Sequence, residues 1–201
     1  LYLFTFAAVW LSFGAFAALE PLFYRDVLEV GPETLGWVNA LFGIGILGGS
    51  VLLGRLPRRI VCARTAAVGA MGSGLGAVAY AGTDVLATVV VGAVCWGVVL
   101  GVLFPLLRTL IQLDTPDHLT GRVLGATNVT GQLGELLPLT FVPALAAASG
   151  VQTVLVGSGA CLLAVAALGL REAGRVDRLR KRLPEVLARL EVSDEPVTPN
   201  R

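Results

Sequence analysis

Residues 123–170 read VLGATNVTGQLGELLPLTFVPALAAASGVQTVLVGSGACLLAVAALGL, a stretch with a single charged residue, Glu135. An apolar helix crosses the hydrocarbon of a bilayer in about 20 residues, so this stretch is too long for one span and long enough for two. The small-residue run Ala146-Ala147-Ala148-Ser149-Gly150 divides it. Working outward, uncharged runs of spanning length occupy residues 1–19, 34–54, 65–83 and 85–107. The expected elements are six helices over 1–24, 34–54, 65–82, 85–110, 122–147 and 151–170. The fold class is all-α: a polytopic membrane protein with six transmembrane helices.

Composition supports this and excludes other classes. Of the 201 residues 55% are apolar and 14% charged, against about 25% charged in soluble domains. Mean hydropathy is +0.80. Lys181 is the only lysine and sits in no Gly-x-x-x-x-Gly-Lys-Ser/Thr run, which excludes a P-loop. His118 is the only histidine and lies in the polar segment 114–118, which excludes His-Glu-x-x-His zinc chemistry and a membrane Ser/His protease. Cys62, Cys95 and Cys161 are odd in number and form no Cys-x-x-Cys, so they read as small packing residues. No basic domain supports nucleic-acid binding. An enzyme is not expected, and no cofactor is implied.

Basic residues set the orientation. With both ends cytoplasmic, every lysine and arginine except Arg25 falls on the inner side, as the positive-inside rule requires. The expected location is the plasma membrane, multi-pass. Leu1 is not methionine and already lies in an apolar run, so the chain is expected to begin partway through a longer protein. Glycines cluster in the second and third helices, with Gly45-x-x-x-Gly49 and Gly72-x-x-x-Gly76 at the spacing that lets helix backbones approach closely. Pro21, Pro105, Pro138 and Pro143 fall in helices one, four and five.

The fifth helix carries the most informative polar pattern. At about 100° per residue, Asn128, Gln132 and Glu135 fall within an arc of about 60°. Glu135 lies twelve residues after Val123 and thirteen before Ala148, near the midplane. A charge there costs about 2.5–3.5 kcal/mol on insertion, so Glu135 should face a cavity or the bundle interior, or be protonated. It is the candidate coupling or substrate-binding carboxylate; a buried acid that only hydrogen-bonds a neighbouring helix is the alternative. Glu20 and Asn39 are further candidates. Glu20 lies close to Arg25 and Asp26, and an interfacial ion pair is the expected role there. Asn39 and Ser50 share a face of helix two. Polarity thus concentrates on helices one, two and five.

Residues 21–59, PLFYRDVLEVGPETLGWVNALFGIGILGGSVLLGRLPRR, resemble the seventh and eighth helices of major facilitator superfamily exporters. Residues 114–134, DTPDHLTGRVLGATNVTGQLG, resemble the loop and eleventh helix of the same group, of the enterobactin-exporter and drug-efflux type. The resemblance implies the C-terminal half of a twelve-helix transporter, built from inverted three-helix repeats, with alternating access around a midplane site. It implies that helices one, two, four and five face the cavity and that three and six are peripheral. Gly54-Arg-Leu-Pro-Arg58-Arg59 takes the place of the family's Gly-x-x-x-Asp-Arg-x-Gly-Arg-Arg signature without its aspartate and second glycine. Arg58, Arg59 and Arg122 are therefore cytoplasmic gate or topology residues. The implied partners are a small-molecule substrate, the lipid bilayer and a second six-helix half.

The expected organisation is a six-helix transmembrane half-transporter domain over 1–170, a cytoplasmic amphipathic helix over 171–192 and a disordered tail over 193–201. Val176, Leu179, Leu183 and Leu190 mark one face of the amphipathic segment, with Pro184 expected to kink or split it. Two functions remain at this point: proton-coupled export of a small amphipathic molecule, or a non-transporting six-helix scaffold or degenerate half.

Overall fold

The computed structural model describes residues 2–57 and 60–193, with side chains described as far as residue 174. Six helices follow one another: α1 (Tyr2–Asp26), α2 (Pro32–Arg55), α3 (Ala63–Ala81), α4 (Leu86–Leu113), α5 (Thr120–Ser149) and α6 (Val151–Ser193). One short 3-10 turn, Asp117–Leu119, precedes α5. The long run quoted above breaks at Gly150, which takes φ +90°. A side chain there would be strained, so glycine is what allows the chain to reverse between two helices. Pro21, Pro105, Pro138 and Pro143 all lie inside helices.

By length and composition α1, α2, α4 and the 151–174 part of α6 can each cross a membrane. The other two are less apolar for visible reasons. α3 is short and built mainly of alanine and glycine, and α5 carries its amides, threonines and Glu135. α6 continues as helix through Pro184 to Ser193, so the expected split does not occur. Proline removes only its own i→i−4 hydrogen bond, and the neighbouring turns carry the helix on. Arg58, Arg59 and residues 194–201 lie outside the described residues.

Packing follows a two-repeat plan. The principal helix pairs are α2 on α4, α3 on α6 and α1 on α5, followed by α3 on α4 and α1 on α6. Exchanging α1 with α4, α2 with α5 and α3 with α6 maps this set onto itself. That is the signature of two three-helix repeats joined in one bundle.

Glycine makes each principal pair close. A Cβ added at Gly45 would sit 2.5 Å from the Val94 carbonyl oxygen, and one at Gly49 would collide with that of Val98. From the other side, Gly97 and Gly101 lie against the Phe42 and Ile46 carbonyls. Ser50 adds a hydrogen bond across the pair, its hydroxyl donating to the Gly101 carbonyl at 3.1 Å. In the equivalent pair, a Cβ at Gly14 would meet the Glu135 carbonyl at 2.5 Å. Between α3 and α6, one at Gly74 would meet the Gly159 carbonyl at 2.9 Å. Gly43 and Gly48, by contrast, face open space.

Two neighbouring glycines of α2 therefore have opposite tolerances. Gly49→Ala should lower the stability of the purified protein by about 1–3 kcal/mol, the range for overpacking, while Gly48→Ala should leave it unchanged or slightly raised. Thermal unfolding in detergent reads both. Equal behaviour of the two variants would contradict the close α2–α4 contact.

Candidate functional site

Where the ends of α1 and α3 come together, the apolar bundle contains a polar chain. Tyr80 of α3 donates its hydroxyl proton to Oε1 of Glu20 on α1 at 2.5 Å. The Tyr24 and Tyr80 hydroxyls are 2.9 Å apart and buried. Because the Tyr80 proton is committed to Glu20, Tyr24 must be the donor in that second bond. The order is Tyr24 to Tyr80 to Glu20.

Glu20 and Asn39 share a pocket of about 100 Å³ with Phe13, Phe16, Phe42 and Trp96. Its walls are aromatic and mutually packed. The Phe16 and Trp96 rings are 4.7 Å apart, Phe42 and Trp96 5.5 Å, and Tyr80 and Trp96 5.8 Å. The indole nitrogen of Trp96 donates to the Ser73 hydroxyl at 3.0 Å, which fixes the ring's orientation. The expected ion pair of Glu20 is not formed. Arg25 instead bonds its neighbour Asp26, Nε to Oδ1 at 2.6 Å, at the exposed end of α1. Glu20 points into the bundle, one turn and more before that end.

The α5 candidates form a second, separate group. α5 buries Thr127, Gly131, Gly134, Pro138, Val142 and Ala146, the face that meets α1. Asn128 and Gln132 are exposed and Glu135 is half-buried, on one flank of that face. On the opposite flank, Leu133 and Leu137 line an apolar groove of about 680 Å³ between α1, α5 and α6. One helix thus presents amides to one side and leucines to the other. Arg122 is exposed in the first turn of α5.

The structure therefore joins Glu20 to Asn39, and leaves Glu135, Gln132 and Asn128 as a stripe of their own. Ser50, expected to share a surface with Asn39, is occupied in the α2–α4 contact. Tyr80 and Trp96 were not among the expected site residues. A signal existed for Tyr80: tyrosine is rare in this chain, and a buried phenol needs a hydrogen-bond partner. Among the described residues no group of His, Cys, Asp or Glu could hold a metal ion.

The order of the tyrosine chain has a measurable consequence. Tyr80→Phe removes the middle of the chain and leaves buried Tyr24 without its acceptor, at a cost of about 1–3 kcal/mol. Tyr24→Phe removes only the terminal donor and should cost about 0.5–1.5 kcal/mol. Thermal unfolding should rank Tyr80→Phe as the more damaging, and a reversed ranking would contradict the assigned order.

Comparison with known proteins bears on the same residues. The family model for the Major Facilitator Superfamily matches residues 1–139, from α1 into α5. Proteins named Multidrug efflux pump Tap, from Mycobacterium tuberculosis (strain ATCC 25618 / H37Rv) and Mycobacterium bovis (strain BCG / Pasteur 1173P2), are 33% identical over 134 residues. The aligned segment covers 62% of this chain and 30% of each relative, so the chain spans about a third of the length of these curated relatives. The residues matched by the family model contain Glu20, Asn39, Tyr80 and the polar face of α5, and the bundle follows the two-repeat plan that such proteins use. This chain belongs to the major facilitator superfamily, a family of multi-pass membrane transporters rather than enzymes.

Proposed function

We propose that the chain is one six-helix half of a secondary active transporter that exports a small amphipathic molecule in exchange for protons, by alternating access. The observation that carries this reading is the division of α5 into an amide-and-carboxylate flank and a leucine flank. A helix wholly surrounded by lipid has no use for exposed Asn128 and Gln132, because unpaired polar groups in hydrocarbon are costly. Against a second six-helix half, the same flank lines a watery cavity at the level where such transporters bind substrate. The efflux-pump name of the curated relatives supports the outward direction.

Glu135 is the coupling carboxylate in this proposal. It lies in the middle of α5, and its backbone is held against Gly14 of α1. Its charge can therefore change at a fixed place while the two halves rock around it. Asn128 and Gln132 contact the substrate from the same flank. Both chain ends are cytoplasmic, since that orientation puts every basic residue but Arg25 inside. Arg58, Arg59 and Arg122 then mark the inner surface, as topology anchors or parts of a gate, and the basic segment after residue 170 lies along the anionic inner leaflet.

Glu135→Gln keeps shape and hydrogen bonding and abolishes titration. In full-length transporter reconstituted into vesicles, it should leave folding intact and reduce pH-gradient-driven flux to background. Substrate exchange without a gradient should persist. Wild-type driven flux in a folded Glu135→Gln protein would overturn the assignment. Absence of any flux in the wild type, across a panel of amphipathic compounds, would favour a non-transporting scaffold.

A further inference from the structure

We infer that Ser50 of α2 is a clasp on the proline hinge of α4, its hydroxyl supplying the hydrogen bond that Pro105 cannot. The starting point is a missing donor. Inside a helix each N–H bonds the carbonyl four residues earlier. Pro105 lies inside α4 and has no N–H. The buried Gly101 carbonyl is therefore without its intrahelical partner, at the point where such a helix bends most readily. A polar group left unbonded in an apolar bundle is costly. The Ser50 hydroxyl reaches that same carbonyl from α2 at 3.1 Å.

The backbone approach permits this one bond. A Cβ on Gly49, the neighbour of Ser50, would lie 3.1 Å from the Gly101 Cα, and a Cβ on Gly101 would collide with the Ile46 carbonyl. A side chain at either place would hold the helices apart and take the Gly101 carbonyl out of reach of Ser50. Thr109, the nearest hydroxyl along α4, is committed elsewhere, donating to the Pro105 carbonyl at 2.8 Å.

Release uses a second acceptor. The Ser50 hydroxyl is also 3.0 Å from the Ile46 carbonyl of its own helix. A hydroxyl has one proton to donate, and the two acceptors differ in need. Ile46 already receives the Ser50 N–H in the α2 ladder, whereas Gly101 has no N–H to receive. The hydroxyl therefore serves Gly101 while α2 and α4 touch, and turns to Ile46 when they part. Parting costs one hydrogen bond and strands no hydroxyl, which suits a hinge that opens and closes repeatedly. Ser50 is a positioning residue: it acts on residues 105–113 of α4 through the Gly101 carbonyl.

The clasp needs no cargo and no proton coupling, so its failure and that of the exporter reading are distinguishable. Hydrogen–deuterium exchange at residues 102–109, with the full-length protein in phosphatidylcholine nanodiscs, reads the local opening of α4. Thermal unfolding of each variant confirms that it is folded. Ser50→Ala should speed exchange by about two- to twelvefold, the worth of one hydrogen bond. Ser50→Thr keeps the hydroxyl and should leave exchange unchanged. Pro105→Ala gives the Gly101 carbonyl its N–H back, and in that background Ser50→Ala should have no effect. Equal acceleration in both backgrounds would make the bond an ordinary contact between helices and overturn the clasp. No acceleration in either background, or Ser50→Thr behaving like Ser50→Ala, would also overturn it. Should Pro105→Ala fail to fold, the comparison of Ser50→Ala with Ser50→Thr decides.

Discussion

The structure depends on backbone-to-backbone contact at glycine. In lipid no hydrophobic force draws two helices together, and their attraction comes from close packing over many atoms. Each principal helix pair meets this requirement with the same device: Gly45 and Gly49 against Gly97 and Gly101, Gly14 against the turn at Gly134 and Glu135, and Gly74 against Gly159. Two of these pairs, α2–α4 and α5–α1, occupy equivalent places in the two repeats. The device also builds the site. Gly97 lies on the Phe42 carbonyl, and that approach brings the Phe42 ring within 5.5 Å of Trp96, the residue beside Gly97. A larger residue at Gly97 would push the pocket's wall outward.

Periodicity and charge made much of this legible. The apolar runs give the first five helices and the start of the sixth to within a few residues, and the small-residue run ending at Gly150 marks the reversal between α5 and α6. The spacing Gly45-x-x-x-Gly49 marks a contact face, although Gly43 and Gly48 in the same cluster have no neighbour. What a single sequence does not contain is the identity of the opposing helix. Glu20 has Arg25 five residues away along the chain, yet its partner is Tyr80, sixty residues on. Ser50 lies on a plausible polar face, and only the position of α4 shows that it is bonded to Gly101. The resemblance implied that α3 is peripheral, and its one tyrosine completes the polar chain. Depth and face can be computed for one helix; pairing requires the fold.

The carboxyl groups of Glu20 and Glu135 have different environments. Glu20 shares a pocket with aromatic rings and is tied by Tyr80 to a buried hydrogen-bond chain. Glu135 is half-buried on a flank with two exposed amides. They sit on α1 and α5, two helices whose backbones approach closely at Gly14.

The polar flank of α5 is the point on which the transport reading turns, and water accessibility measures it directly. After replacement of Cys62, Cys95 and Cys161, single cysteines at 128, 132, 133 and 137 of the full-length protein are challenged with a membrane-impermeant maleimide. The expected result is labelling at 128 and 132 and protection at 133 and 137, the pattern of a helix with one flank on an aqueous cavity and the other on an apolar groove. Labelling at 133 and 137 with protection at 128 and 132 would contradict it, as would equal labelling at all four.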